Sequence, residues 1–142
     1  MGSSARVRPV ARCVLLVEDN DDVQFLTTST LRQCGYDVIR AGTIEEARRA
    51  ARARRPDVVL LDCCLPDGDG LELARAWRDD GRMKDVPVIV LTAFFARQDI
   101  EAALMAGADA FLVKPCPATI LAEQIEKVLA GTRVSQTLRV RT

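Results

Sequence analysis

Four short runs of consecutive apolar residues alternate along the chain with segments that have helical spacing. The runs are rich in β-branched side chains, a composition typical of strands buried on both faces of a parallel sheet. They lie at residues 13–17, 58–61, 86–91 and 110–113, and a weaker run lies at residues 36–39. We therefore predict five strands.

Apolar residues between the strands recur at intervals of three and four, as they do along one face of a helix. The clearest sets are Ile44, Ala47 and Ala51; Ile100, Ala103, Leu104 and Gly107; and Leu121, Ile125 and Leu129. Thr43 with Glu46 fits a capping box, and Asp69 can cap the helix that follows it. Glycines stand where three helices are expected to stop, at Gly35, Gly107 and Gly131.

Strands that alternate with helices form βαβ units, whose right-handed crossovers produce a parallel sheet covered by helices on both faces. The predicted fold class is α/β, with the flavodoxin-like (βα)5 doubly wound arrangement and strand order 2-1-3-4-5. We expect one such domain over residues 13–130, with an arm at residues 1–12 and a tail or linker at residues 131–142. Ligands of such sheets bind at the carboxyl ends of the strands, beside the first strand.

The composition limits the functions of this domain. The 142 residues include 20 basic and 20 acidic side chains and no histidine, which excludes histidine-dependent hydrolysis and argues against a nucleic-acid partner held by bulk charge. Five cysteines without a C-x-x-C spacing argue against a disulfide framework or a zinc site. No apolar run reaches the ~20 residues of a membrane helix. No signal sequence opens the chain, so we predict a cytoplasmic protein without a membrane partner.

Polar side chains stand at the ends of four predicted strands. Glu18 and Asp19 follow the first strand, and Asp62, Thr92 and Lys114 follow the third, fourth and fifth. Each has an ordinary explanation by itself, such as a helix cap or a surface charge. At one edge of a sheet, however, three carboxylates need a counter-ion, and hard oxygen ligands suit Mg²⁺. The pattern predicts a phosphoryl-transfer site.

Asp62 is the best candidate for the nucleophile, because it ends the central buried strand and a carboxylate can form an aspartyl phosphate. Glu18 and Asp19 are adjacent and can supply metal ligands from one turn. We expect Lys114 to stabilise charge on the phosphoryl group and the Thr92 hydroxyl to donate a hydrogen bond to it.

The order and spacing of these residues resemble the receiver domain of bacterial two-component response regulators, the family of the chemotaxis response regulator. The resemblance covers residues 13–129 and rests on Leu15-Leu16-Val17-Glu18-Asp19, Leu60-Leu61-Asp62 with Leu65-Pro66 and Asp69-Gly70, Val90-Leu91-Thr92-Ala93, and Lys114-Pro115. It implies a signalling phosphoprotein that changes partner binding. Such a protein is not an enzyme acting on another molecule, although it assists its own phosphorylation and dephosphorylation.

The resemblance also implies residue roles around the phosphoacceptor. Asp62 would accept a phosphoryl group from a histidine of a sensor kinase or phosphotransfer protein. Mg²⁺ would be held by Asp19, Asp62 and the backbone carbonyl of Cys64, with Glu18 binding through water. Thr92 would move towards the phosphoryl group.

Three further expectations follow from the same resemblance. The ring of Phe111 would turn inward as part of the switch, although its strand position also predicts plain core packing. The Lys114–Pro115 peptide bond is expected to be cis. An unknown downstream protein or a second copy of the chain is expected to dock on the fourth and fifth helices.

Other functions stay open at this stage. A receiver-like adaptor would keep the fold and work without phosphorylation. The chain could equally be the receiver fragment of a larger hybrid histidine kinase or regulator, since only about a dozen residues follow the last helix. A flavodoxin-like electron carrier would share the fold, but the acidic loop at residues 18–22 would repel a phosphate that no metal bridges.

The segment after Asp62 carries two patterns that have simple explanations. Cys63 and Cys64 adjoin a carboxylate, which raises a thiol pKa, so we predict two unreactive thiols. Residues 67–70 alternate acid and glycine as in a calcium loop but lack the remaining ligands, so we predict a tight turn. Trp77 lies at a spacing typical of the core.

Overall fold

The structure is a computed structural model that describes residues 11–93 and 97–131. Five strands and five helices alternate in this part of the chain: β1 Cys13–Val17, α1 Asp21–Gln33, β2 Asp37–Ala41, α2 Ile44–Ala53, β3 Val58–Asp62, α3 Gly70–Arg78, β4 Val88–Thr92, α4 Arg97–Met105, β5 Ala110–Val113 and α5 Ala118–Leu129. A short antiparallel hairpin, which pairs Cys64–Leu65 with Gly68–Asp69, stands between β3 and α3. Most of the predicted arm and tail lies outside the described residues.

The five strands form one parallel sheet in the order β2-β1-β3-β4-β5, which confirms the predicted topology. Two strands begin later than predicted. β2 starts after Tyr36, and β4 starts after Pro87. Pro87 has no N–H to donate, and its carbonyl accepts the Val59 N–H at 2.9 Å. Regular pairing therefore starts at the residue that follows it.

The sheet buries both of its faces, as its continuous apolar strands require. On one face, Leu15 and its neighbours on adjacent strands pack against α2, α3 and α4. On the other face, Leu16 and its neighbours pack against α1 and α5. Full burial of such a side chain contributes roughly 1.5–3 kcal/mol. We call these the α2–α4 face and the α1/α5 face.

The predicted helix ends are confirmed. Thr43 accepts the Glu46 N–H at 3.0 Å at the start of α2, while the Glu46 carboxylate accepts the N–H of Gly42 at 2.7 Å. Asp69 accepts the Leu71 N–H at the start of α3. Glycines with positive φ follow three helices, at Gly35, Gly107 and Gly131. The Lys114–Pro115 peptide bond is cis, as expected.

The apolar face of α4 differs from the prediction. Ala103 is buried, but Leu104 is 36% exposed and the next residue, Met105, is 83% exposed. The buried stripe continues instead through Ala106, because small side chains let a short helix lie close to the sheet. Trp77 on α3 is buried in the core, as predicted.

Within residues 11–93 and 97–131, no helix has the length and apolar character that crossing a membrane requires.

Candidate functional site at the carboxyl edge of the sheet

The structure brings the predicted strand-end residues to one edge of the sheet. Glu18 follows β1 directly, Asp62 and Thr92 are the last residues of β3 and β4, and Lys114 follows β5. Parallel strands share one direction, so their carboxyl ends meet at the same edge. The sequence prediction of one polar cluster therefore agrees with the geometry.

Three carboxylates form the centre of this cluster. Glu18, Asp19 and Asp62 each offer an oxygen, and these oxygens lie within 4.8 Å of one another. Glu18 and Asp62 are buried, whereas Asp19 is exposed. Burying carboxylates side by side is costly unless an opposite charge is close.

Lys114 supplies one such charge. Its Nζ lies 2.5 Å from Glu18 Oε1 and 3.0 Å from Asp62 Oδ2. Burial lowers the pKa of Lys114, but hydrogen bonds with Glu18 and Asp62 and their negative charges outweigh burial and raise the pKa above its usual value. Lys114 is therefore a firmly charged ammonium ion between the two buried carboxylates.

The donor set fits a small divalent cation. Three carboxylates face one ammonium, which leaves excess negative charge, and all three donors are hard oxygens close enough to share one ion. The backbone N–H of Cys64 donates to Asp62 Oδ1 at 3.1 Å, which orients that carboxylate. The metal-binding role of the Cys64 carbonyl stays a prediction.

A glutamine that the sequence analysis missed holds the acidic turn in place. Gln24 Nε2 donates to the carbonyl of Glu18 at 2.8 Å and to that of Ala41 at 3.3 Å. The Glu18 N–H also donates to Ala41, at 2.9 Å. Asn20 caps α1 by accepting the Val23 N–H. A polar residue in the first turn of a helix is too common to have drawn attention to Gln24.

Asp67 is a second contact that the sequence analysis missed. Its carboxylate accepts the N–H groups of Ile44 at 2.8 Å and Glu45 at 3.1 Å, so the loop that follows Asp62 caps α2. The hydrogen bond from Ile44 is the largest cause of a lowered Asp67 pKa. Asp67 and Asp69 thus both hold helix N-termini, in agreement with the prediction of a turn.

Gly70 lets α3 begin directly against Asp62. Its N–H donates to the Cys63 carbonyl at 2.8 Å. A Cβ atom at Gly70 would lie 2.3 Å from the backbone oxygen of Asp62, a separation that real Cβ atoms do not adopt. Any larger side chain here would displace the end of β3.

Thr92 stands on the opposite face of the sheet from Asp62. Side chains alternate along a strand. Asp62 therefore projects on the α1/α5 face with Leu60, while Thr92 projects on the α2–α4 face with Val90. Phe111 is also buried on the α2–α4 face, which confirms core packing, while its switch role stays a prediction.

Both cysteines after Asp62 are weak nucleophiles, as predicted. Burial, followed by the charges of Asp62 and Asp69, raises the pKa of Cys63 to about 12, although a hydrogen bond with Thr92 acts in the opposite direction. Burial and the charge of Asp62 also raise the pKa of Cys64. The thiolate fractions at neutral pH are therefore small.

Comparison with known proteins agrees with the fold. The chain matches the family described as response regulator receiver domain over residues 14–126. It is 35% identical over 118 residues to the polar-differentiation response regulator DivK of Brucella anthropi, which spans 83% of this chain and 96% of that protein.

Two solved structures are similar to it. The chemotaxis protein CheY4 of Vibrio cholerae has a TM-score of 0.80 and 28% identity and covers 84% of this chain and 99% of its own. The receiver domain of a sensor histidine kinase from Pseudomonas aeruginosa has a TM-score of 0.78 and 34% identity and covers 85% and 99%. The latter structure holds a magnesium ion in its active site cleft.

This chain belongs to the response regulator receiver domain family. Receiver domains are the phosphoacceptor switches of two-component systems and interact with histidine kinases or phosphotransfer proteins. The family, fold and switch function predicted from the sequence are confirmed.

Proposed function

We propose that Asp62 is the phosphoacceptor of this switch and that its phosphorylation depends on Mg²⁺. The observation that carries the proposal is the convergence of Lys114 Nζ, 3.0 Å from Asp62 Oδ2, with three carboxylates whose oxygens lie within 4.8 Å of one another. Asp19, Asp62 and the Cys64 carbonyl would hold the metal, with Glu18 binding through water. Bound Mg²⁺ supplies positive charge for the phosphoryl oxygens.

The group transfer balances without an external oxidant or reductant. A carboxylate oxygen of Asp62 forms a bond to phosphorus while the bond from phosphorus to a partner's histidine nitrogen breaks, and the electron pair of that bond leaves with the imidazole. With acetyl phosphate the leaving group is acetate. Lys114 stabilises the charge on the transferring group. The Thr92 hydroxyl then donates a hydrogen bond to the bound phosphoryl group.

The chain acts on itself rather than on a separate substrate. Asp62 is consumed in the transfer and returned only when water hydrolyses the aspartyl phosphate, so the site assists both steps without being an enzyme for another molecule. All five cysteines are free thiols, which supports a reducing location such as the cytoplasm.

We further propose that the histidine-bearing partner docks in a groove between α1 and the start of α5. The groove has a volume of about 580 Å³, is mainly apolar and reaches Lys114 and Pro115 at the edge of the site. Leu26 lines it and is 64% exposed. A partner helix seated here would bury apolar side chains and bring its histidine to Lys114 and Asp62.

Intact mass after incubation with acetyl phosphate and Mg²⁺ tests the phosphoacceptor. We expect one added phosphoryl group in the wild type, none without metal and none in Asp62→Asn. Asp57→Asn is the matched control, because this aspartate stands at the opposite edge of the sheet. A phosphoryl group on Asp62→Asn would refute the assignment.

Leu26→Ser tests the groove. We expect transfer from an autophosphorylated sensor kinase to slow about tenfold, which corresponds to the loss of one well-buried side chain at an interface. Phosphorylation by acetyl phosphate should not change, because a small donor does not need the groove that Leu26 lines. Equal slowing with both donors would show that the substitution damages the site itself.

A further inference from the structure

The side chain of Gln24 reaches from the first turn of α1 back to the ends of two strands. Its Nε2 donates to the carbonyl of Glu18, which follows β1, at 2.8 Å, and to the carbonyl of Ala41, the last residue of β2, at 3.3 Å. Both partners are carbonyl oxygens, which only accept, so the amide presents its NH₂ group to them. Gln24 therefore ties α1 to the sheet at the acidic turn.

The hydrogen bond to Glu18 also orients the residue that follows. The Glu18 carbonyl and the Asp19 N–H belong to one planar peptide group, so a donor that holds this carbonyl also sets the direction in which the chain continues to Asp19. The N–H of Glu18 is held separately, because it donates to the Ala41 carbonyl at 2.9 Å. Gln24 thus holds the side of Glu18 that leads to Asp19.

Asp19 is the carboxylate of the cluster that relies most on its backbone. Glu18 and Asp62 are buried and contact Lys114, whereas Asp19 is exposed. An oxygen of Asp19 nevertheless lies within 4.8 Å of oxygens of Glu18 and Asp62. The peptide group that precedes Asp19, oriented by Gln24, brings this exposed side chain to the cluster.

We propose that Gln24 is a positioning residue that sets the metal preference of the site, because it holds Asp19 where Mg²⁺ requires a ligand. This inference rests on the proposed function, in which Asp19 is a metal ligand. Mg²⁺ demands near-ideal octahedral geometry with ligands at roughly 2.0–2.1 Å, whereas Ca²⁺ accepts flexible geometry at roughly 2.3–2.6 Å. Loss of the Gln24 contact should therefore weaken the binding of Mg²⁺ more than the binding of Ca²⁺.

Two substitutions remove the donor without shortening the side chain. Gln24→Met has a similar length and a similar helix propensity, so α1 should stay intact. Gln24→Glu keeps the shape, but its carboxylate cannot donate to a carbonyl. Gln33→Met is the matched control, because Gln33 is exposed at the other end of the same helix.

The first test uses the metal-free protein. The residual dipolar coupling of the Asp19 N–H, measured by NMR, reports the orientation and the mobility of the peptide group between Glu18 and Asp19. We expect the coupling to agree with the structure in the wild type and in Gln33→Met, and to change in Gln24→Met. An unchanged coupling in Gln24→Met would overturn the inference whether or not the protein binds metal.

The second test measures the metal preference by calorimetry with Mg²⁺ and with Ca²⁺. Gln24→Met should bind Mg²⁺ about threefold to tenfold more weakly, which is the effect of one hydrogen bond of ordinary net strength, and Ca²⁺ at most about twofold more weakly. Gln24→Glu adds a charge that attracts both ions, but its ratio of Mg²⁺ to Ca²⁺ affinity should fall in the same way. A ratio that stays at the wild-type value in Gln24→Met would overturn the inference.

The two proposals fail in different ways. If the wild type binds no Mg²⁺ and gains no phosphoryl group, the proposed function fails and the metal preference fails with it, while the dipolar coupling still decides whether Gln24 holds Asp19. If the wild type binds Mg²⁺ and is phosphorylated but Gln24→Met keeps the wild-type ratio of affinities, only the inference about Gln24 fails. Thermal unfolding identifies any variant that is not folded, and either Gln24 variant suffices for the ratio.

Discussion

Carboxylates stand at both edges of the sheet, but they are bound in different ways. At the amino edge, Asp57 accepts the Cys13 N–H at 2.7 Å and Asp109 accepts the Val88 N–H at 2.9 Å. Each supplies the acceptor that the first residue of a strand requires. At the carboxyl edge, Glu18 and Asp62 instead face each other and share Lys114.

The difference shows that the partner of a carboxylate decides its role. Asp57 and Asp109 are satisfied by backbone donors and contribute to the stability of the sheet. The cluster at the carboxyl edge has more acids than local positive charge, so a bound cation is needed to compensate it fully. The same residue type accepts hydrogen bonds from the backbone at one edge and gathers around an ammonium ion at the other.

Removing the ammonium at the carboxyl edge should have the largest effect. Lys114→Met leaves Glu18 and Asp62 buried without their counter-charge. We expect a loss of about 3 kcal/mol in the free energy of unfolding without metal, at the low end for a buried pair because Lys114 is partly exposed. Mg²⁺ should restore part of this loss, as measured by urea unfolding with and without the ion.

The exposed Lys127 provides the control for this prediction. Lys127→Met should change the unfolding free energy little and should not alter its dependence on Mg²⁺. Equal destabilisation of Lys114→Met with and without Mg²⁺ would contradict this prediction. It would mean that the carboxyl edge has no more uncompensated negative charge than the amino edge.

Removing a carboxylate at the amino edge should have an intermediate effect. Asp57→Ala deletes the acceptor of the Cys13 N–H, so we expect the free energy of unfolding to fall by about 2 kcal/mol. Because Arg12 and Arg55 line the same pocket as Asp57, we expect the loss to be the same with and without Mg²⁺ and phosphorylation by acetyl phosphate to be unchanged.

Asp85→Ala is the matched control, since Asp85 is an exposed acid near the same edge. Its unfolding free energy should stay close to that of the wild type. A phosphorylation defect in Asp57→Ala would break the separation between a structural and a reactive edge.

The smallest effect concerns Asp67, a carboxylate at the carboxyl edge that backbone donors satisfy. Its pKa is lowered from 3.8, chiefly by the hydrogen bond from Ile44. A lowered pKa means that the contribution to stability is present above pH 3.8 and disappears as the pH falls through the folded-state value. We therefore expect Asp67→Asn to lower the urea midpoint at pH 6 and to lower it less below pH 3.8.

Asp69→Asn provides a comparison for Asp67, because Asn is also a good N-cap and the Asp69 cap receives one N–H rather than two. A difference between Asp67→Asn and the wild type that stays constant from pH 6 to pH 3 would contradict the assignment of this contribution to ionised Asp67.

Periodicity and strand-end chemistry predicted much of the molecule. The side chains of a continuous apolar run point to both faces of a strand, so both faces must be buried. This requirement leads to a parallel sheet with helices on both sides. Once that sheet is inferred, residues that end different strands must meet. Asp62, Thr92 and Lys114 were therefore accessible from the sequence, although they lie far apart along the chain.

Contacts that depend on the path of a loop were not accessible in this way. The hairpin after Asp62 brings Asp67 to the N-terminus of α2, and no periodic pattern describes that path. The exposure of Leu104 was also missed, because a nine-residue helix has several apolar stripes and only its docking on the sheet selects one.

The sequence by itself determined the fold class, the strand order and which polar residues end the strands at one edge, because burial patterns and the geometry of parallel strands apply to the whole sheet. Tertiary structure decided which carboxylates are paired with backbone donors and which are gathered around Lys114. It also decided that Cys63 stands beside Thr92 where β3 and β4 end. Hydrogen bonds act over a few ångströms, so these pairings depend on backbone register and loop geometry rather than on residue spacing.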